Sequence, residues 1–249
     1  MTEPSFLLTP QGRRIAYHKA RGTGPGVVFL GGFRSDMGGT KALHLQDWAS
    51  ASGRSFFRFD YSGHGQSYGA FEDGAIGDWL QDAIAVLALT DGPQVLVGSS
   101  MGGWIALLLA QACPERVAGL VGIAAAPDFT EDSMWAGFSK AQRAALLKDG
   151  RVTVPSGYAA DGYVITRRLI EEGRDRLVFR RPLYLPFPVR LLHGAADTDV
   201  PVSVALRLMD HANSPDMRLI IVKDADHRFS APKCLKMISD AVGQVFRND

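Results

Sequence analysis

Apolar and polar positions follow two alternating rhythms along most of this chain. Short apolar runs closed by glycine or turn residues predict strands, and stretches with apolar residues three and four apart predict helices. "SFLLT" and "RRIAYHKA" predict an antiparallel pair joined by a Pro-Gln-Gly turn. "GVVFLGG" predicts a strand buried on both faces, "TKALHLQDWASA" a helix, and "RSFFRFDYSGHG" a strand entering a glycine-rich loop. The alternation continues with a helix in "GAIGDWLQDAIAVLALT", a buried strand in "PQVLVGS", a helix in "MGGWIALLLAQACP" closed by Pro114, and a strand in "VAGLVGIAAAP".

From Asp128 to Pro188 the rhythm changes. Charge, aromatic residues and irregular turns increase, and helices are predicted in "DSMWAGFSKAQRAALLKDG" and "DGYVITRRLIEEGRDRL", with "RVTVPSGY" between them. The alternation resumes with the strand "FPVRLLHG", a helix around "VSVALRLMDHA", the strand "MRLIIV" and a last helix from Lys233 to Phe246. A strand-helix alternation that pauses and resumes predicts one parallel-sheet α/β domain over residues 1–249, with a cap inserted at 128–188. That segment is too short and too poor in core residues to be expected to fold alone.

Composition narrows the partners. Apolar residues make up 46% and charged residues 21% of the 249, as in soluble globular proteins. Lys and Arg number 27 against 26 Asp and Glu, a net charge of +1. Such balance disfavours nucleic acid or an anionic membrane, which demand clustered positive charge. Cys113 and Cys234 match no metal spacing and suit a reducing compartment. "MTEPSFLLTPQGRR" lacks the basic and apolar regions of a secretory signal, and no stretch reaches the roughly 18 apolar residues that span a bilayer. A cytoplasmic protein with no membrane span is expected; oligomeric state is not legible.

Chemistry enters at "VLVGSSMGGW". Gly98-Ser99-Ser100-Met101-Gly102 is Gly-x-Ser-x-Gly, set between a buried strand and a helix, the context of a nucleophile elbow. A serine on that sharp turn needs small residues two positions to either side. Ser100 has glycines there, whereas Ser99 would have Val97 and Met101, so Ser100 is the candidate nucleophile. No phosphate-binding G-x-x-x-x-G-K-[ST] or G-x-G-x-x-G accompanies it.

A serine hydroxyl needs a base. Of the six histidines, His18, His44 and His211 fall on predicted strands or helices, His64 in the "YSGHGQS" loop and His193 at a strand end. His227, in the polar loop "KDADHRFS" after a strand, is the last in the chain and fits a Ser-acid-His order. "HGAADTDVP" supplies the acid: Asp197, close behind the strand end, is preferred, and Asp199 is expected to cap the helix beginning near Val202.

Ser100, Asp197 and His227, in that order on alternating strands, resemble the α/β-hydrolase superfamily over nearly the whole chain. "FLGGFRSDMGGTKA" stands at the family's first oxyanion loop, "FDYSGHGQS" at the turn after the fourth strand and "LHGAADTDVP" at the acid loop. One departure is Gly31-Gly32 where many members have His-Gly. "GGF…GTKA", "GSSMGGW" and "IAAAPDFTE" are similar to the ABHD10-type branch, described as acyl-protein thioesterases and acyl-glucuronide esterases. The resemblance implies an α/β-hydrolase fold: a mostly parallel eight-stranded sheet, helices on both faces and a small helical cap. It implies a serine esterase or thioesterase acting on small esters or acylated proteins, without metal or organic cofactor. The backbone N–H groups of Phe33 and Met101 would form the oxyanion hole, and His64 would be structural. Carbon–carbon bond hydrolases of the superfamily and non-catalytic receptors on this fold are the competing readings. Epoxide hydrolases and dehalogenases, which place Asp at the elbow, are disfavoured. Met134, Trp135, Phe138, Tyr158 and Tyr163 either line an acyl pocket or pin the cap to the core. Arg167 and Arg168 either meet a substrate carboxylate or form a solvated face.

Overall fold

The structure, a computed structural model, describes residues 3–157 and 162–247. Its centre is an eight-stranded sheet whose order follows from chain-order elements. β1 (Ser5–Leu8) and β2 (Arg14–Ala20) form the antiparallel hairpin at one edge. β3 (Thr23–Leu30) is followed by α1 (Thr40–Ala51) and β4 (Arg54–Phe59). Then come α2 (Ile76–Leu87), β5 (Gln94–Ser99), α3 (Met101–Ala112) and β6 (Val117–Ile123). The sheet runs β1-β2-β4-β3-β5-β6 and then crosses to strands from the last third of the chain. β2 pairs antiparallel with β4, and the remaining ladders are parallel.

Period-two alternation divides the core into two layers. Val28 and Leu30 face a cluster with Trp79 of α2 and Trp104 of α3. Val27 and Phe29, one residue out of phase, face Ala42 and Leu45 of α1 and residues of the last helix, among them Ile238 and Val242. α3 is buried from Met101 to Ala110, as expected for a helix apolar all round and covered on its outer side.

The cover is the segment after β6. It opens with a π-helical turn, Thr130–Trp135, and continues with α4 (Lys140–Asp149), β7 (Arg151–Val154), β8 (Tyr163–Thr166) and α5 (Arg167–Arg174). β7 and β8 form an antiparallel hairpin outside the main sheet, so the segment is not the purely helical cap expected. The first predicted helix divides at Ser139, whose extended backbone and hydroxyl cap α4 through the N–H of Gln142. The second begins only at Arg167, because Tyr163–Thr166 is taken by the hairpin and Thr166 caps α5. β9 (Leu183–Tyr184) leads to β10 (Val189–Gly194), which returns to the sheet beside β6. α6 (Val202–His211), β11 (Ala212–Asn213, paired with β9), β12 (Met217–Val222) and α7 (Pro232–Arg247) end the chain. β12 is the far edge strand. Among the described residues, no helix is long and apolar enough to cross a membrane.

Candidate active site

Ser100 stands on the single residue between β5 and α3, at φ 54° and ψ −118°, a backbone state costly for a side-chain-bearing residue. Its surroundings hold it there. The Ser100 N–H donates to Ile123 O at 2.9 Å, and Ser100 O accepts from the N–H groups of Gly103 at 2.9 Å and Ala126 at 3.1 Å. The flanking glycines are required by close backbone approach. A Cβ on Gly98 would lie 2.3 Å from Gly102 O, and one on Gly102 would lie 2.1 Å from Leu30 O.

Asp197 lies in the loop after β10, its carboxylate fully buried. Oδ1 accepts from the N–H groups of Asp199 at 2.9 Å and Val200 at 2.8 Å, and Oδ2 accepts from His227 Nδ1 at 2.8 Å. Burial alone would raise its pKa. The hydrogen bonds from His227, Val200 and Asp199 outweigh that and hold the carboxyl below its ordinary value. His193 donates from Nε2 to Val200 O at 2.8 Å, with the same nitrogen 3.4 Å from Asp197 Oδ2. Asp199 does not cap α6; Pro201 occupies that position, and no side chain caps the helix.

His227 sits between β12 and α7, with Nε2 3.1 Å from Ser100 Oγ. A carboxylate can only accept, so Nδ1 carries the proton toward Asp197 and Nε2 is free to accept from the serine hydroxyl. Lys41 Nζ donates to Arg228 O at 2.6 Å and ties α1 to this loop. Burial lowers the Lys41 pKa to about 8, against the opposing influence of Asp226.

Opposite the serine lies the loop after β3. Gly32 is apposed to Ser100, an added Cβ there falling 3.5 Å from Ser100 Cβ. Phe33 follows it, and Met101 is the first residue of α3, where a helix offers its N–H no acceptor of its own.

These groups open into a cavity of about 740 Å³. One wall is formed by Phe33, Arg34, Ser100, Met101 and His227. The segment after β6 supplies the other through Phe129, Met134, Val154, Pro155 and Tyr163. Of the aromatic candidates, Tyr163 reaches the cavity, as does Met134. Trp135 and Phe138 do not line it. They pack on each other at 6.3 Å, and Trp135 is flanked by the guanidinium groups of Arg143 and Arg174 at 5.1 and 4.7 Å, so both hold the segment together. Tyr158 lies outside the described residues. Arg167 pairs with Glu171 and Arg168 with Asp78, both at 2.6 Å, and neither faces the cavity. Phe129, Val154 and Pro155 were not legible as lining residues; nothing in their local pattern distinguishes a cavity wall from ordinary packing.

Among the described residues, the one group of His, Cys, Asp or Glu with converging ligand atoms is Asp197, Asp199 and His227. Asp197 and His227 are already bonded to each other, and a cation there would have to break that pair.

Comparison with known proteins places this arrangement. A family model described as serine aminopeptidase, S33 (Hydrolase_4), matches residues 25–167. Rat mitochondrial palmitoyl-protein thioesterase ABHD10 is 38% identical over 229 residues, covering 91% of this chain and 77% of the relative. The chain belongs to this α/β-hydrolase family. It falls in the ABHD10-like branch: the human protein is 37% identical over 91% of this chain and 74% of its own length. The mouse ABHD10 structure superposes with a TM-score of 0.92 at 34% identity, covering 99% of both chains. A protein from Agrobacterium vitis S4 superposes at 0.94 with 41% identity over 98% of both. The fold extends further, to Est1E of Butyrivibrio proteoclasticus, with a TM-score of 0.82 at 18% identity.

Proposed function

We propose that the protein hydrolyses carboxylic esters and acyl thioesters through an acyl-enzyme on Ser100. The observation that carries this reading is the relay Asp197–His227–Ser100, at 2.8 and 3.1 Å, whose Ser100 and His227 open into a mostly apolar cavity. Ser100 Oγ attacks the acyl carbon while its proton passes to His227 Nε2, and Asp197 stabilises the imidazolium. The carbonyl oxygen gains charge facing the N–H groups of Phe33 and Met101, a contribution of about 3 kcal/mol for one such donor in other hydrolases. Collapse of the tetrahedral intermediate breaks the bond to the alcohol or thiol, which leaves with the proton from His227. Water then adds to the acyl-enzyme, giving its proton to His227, and the carboxylic acid departs as the proton returns to Ser100.

The preference for acyl groups of some length rests on the apolar wall of Phe33, Phe129, Met134 and Val154, and is supported by relatives named as palmitoyl-protein thioesterases. The test is hydrolysis of p-nitrophenyl esters, palmitoyl thioesters and dienoic diketones, with fluorophosphonate labelling as an independent measure of a live serine. Ester and thioester turnover with covalent label on Ser100 is expected, with kcat falling about 10⁴-fold or more in Ser100→Ala. Turnover of the diketone alone, or a Ser100→Ala variant as active as the parent, would overturn the reading.

A further inference from the structure

The "DYSGHGQS" loop, Asp60 to Ser67, has no part in the relay described above, yet it carries a buried histidine. His64 is only 3% exposed, and its ring meets those of Phe71 and Trp79 edge-on at 5.1 and 5.2 Å. Both ring nitrogens have backbone partners. Nδ1 lies 3.1 Å from Ser62 O, and Nε2 lies 3.3 Å from Arg34 N. A carbonyl can only accept and an amide N–H can only donate, so the two contacts together demand one form: proton on Nδ1, lone pair on Nε2. Burial keeps the ring in a neutral form, lowering its pKa to about 4 despite the opposing bond to Ser62.

Arg34 directly follows Phe33. It sits at φ 56°, a left-handed state unfavourable for arginine that its surroundings must hold. Ser35 closes the turn, donating from its backbone N–H to Gly32 O at 3.2 Å and from its hydroxyl at 2.8 Å, so Phe33 and Arg34 are the two central residues. The same "DYSGHGQS" loop grips the far end of this segment through Asp60, whose Oδ1 accepts from Met37 N–H at 2.6 Å.

We propose that His64 is a positioning residue for the oxyanion hole: as the Nδ1–H tautomer it holds the Arg34 N–H, and with it the turn in which Ser35 anchors the Gly32–Phe33 peptide that carries the Phe33 N–H toward the reacting carbonyl. The proposal rests on the acyl-transfer reading above. It gives the Gly-His-Gly-x-Ser motif a task in the chemistry that packing alone would not require.

Two measurements test it. In the wild type, long-range 1H–15N spectra at neutral pH report the His64 tautomer without reference to activity; a protonated Nδ1 and bare Nε2 are expected, and a protonated Nε2 would overturn the proposal. The second compares His64→Phe, which keeps an aromatic ring but no acceptor, with His64→Gln, whose carbonyl can accept the Arg34 N–H. The readouts are ester hydrolysis and inhibition by a trifluoromethyl ketone, whose serine adduct places an oxyanion in the hole. His64→Phe is expected to lose about 10- to 100-fold in kcat with little change in KM. Ketone affinity should fall in parallel, and His64→Gln should recover most of both. Unchanged ketone binding in His64→Phe, or equal losses in both variants, would overturn the proposal. Should His64→Phe fail to fold, His64→Leu, which likewise lacks an acceptor, takes its place, and a protonated Nε2 in the wild type still overturns the proposal. A wild type that hydrolyses no ester refutes the acyl-transfer reading instead, leaving the tautomer result standing as a fact about the loop.

Discussion

At the scale of single residues, two acids in one short loop differ sharply in setting. The Asp197 carboxylate is buried, accepts three hydrogen bonds and faces His227, whereas Asp199 is exposed, with its backbone N–H donated to Asp197. Asp197→Asn leaves the geometry nearly intact but turns an acceptor into an amide that can hold the wrong imidazole tautomer. A fall in kcat of about 10³- to 10⁴-fold is expected, against a minor effect of Asp199→Asn, measured as initial rates on one p-nitrophenyl ester. Equal losses would move the acid's role away from Asp197. The linkage has a definite sign. The Asp197 pKa lies below its unfolded value, so its contribution to stability is present above the ordinary carboxylate range and is lost as pH falls through the folded value. Ser100 was legible because a local steric requirement writes itself as glycine at fixed offsets. His64's bond to Arg34 was not, since two loops 30 residues apart in sequence had first to be brought together.

At the scale of elements, the sequence was most readable where one face or both faces of an element are buried. The rhythm of "GVVFLGG" and "MGGWIALLLAQACP" reflects burial in the sheet and under the cover, and their strand and helix lie where it predicts. The hairpin of β7 and β8 leaves only a short trace in the sequence: Arg151–Val154 alternates polar and apolar residues, and Pro155, Ser156 and Gly157 follow it. The amphipathic pattern of α5 masked the strand that precedes it. The π-helical turn at Thr130–Trp135 has no period of its own to announce it. Glycines show how much the joint between elements matters. Gly102→Ala would force a Cβ to within 2.1 Å of Leu30 O, where neither backbone can yield freely. It should cost about 1–3 kcal/mol in urea denaturation, the range of overpacked interiors. Gly137→Ala meets nothing within 4 Å and should be neutral or stabilising by up to about 1 kcal/mol. A Gly102→Ala variant as stable as the parent would show that α3 does not lie against the end of β3 as described.

At the scale of the whole molecule, the proposed reaction and its expected specificity draw on different parts of the chain. Ser100, Asp197 and His227 stand on loops at the ends of β5, β10 and β12, fixed by a sheet packed on both faces. The opposite cavity wall comes from the segment after β6, which is secured independently: Asp132 on its π-helical turn pairs with Arg180 and with Arg207 of α6, and these bonds hold its carboxyl below the usual range. A change in that wall should therefore alter which acyl groups fit without altering how the bond is broken. Met134 is half-buried on the wall and Trp135 is turned away from it, so Met134→Trp should fill cavity space where Trp135→Leu should not. Each methylene that finds the apolar wall can add about 0.8 kcal/mol, roughly fourfold in kcat/KM. For the wild type, kcat/KM should then climb along a series of p-nitrophenyl esters until the chain meets the wall. In Met134→Trp the climb should stop several carbons earlier, with acetate hydrolysis nearly unchanged. A uniform loss at every chain length would mean that Met134 acts on the catalytic groups, and an unchanged profile would place the acyl chain along another face of the cavity.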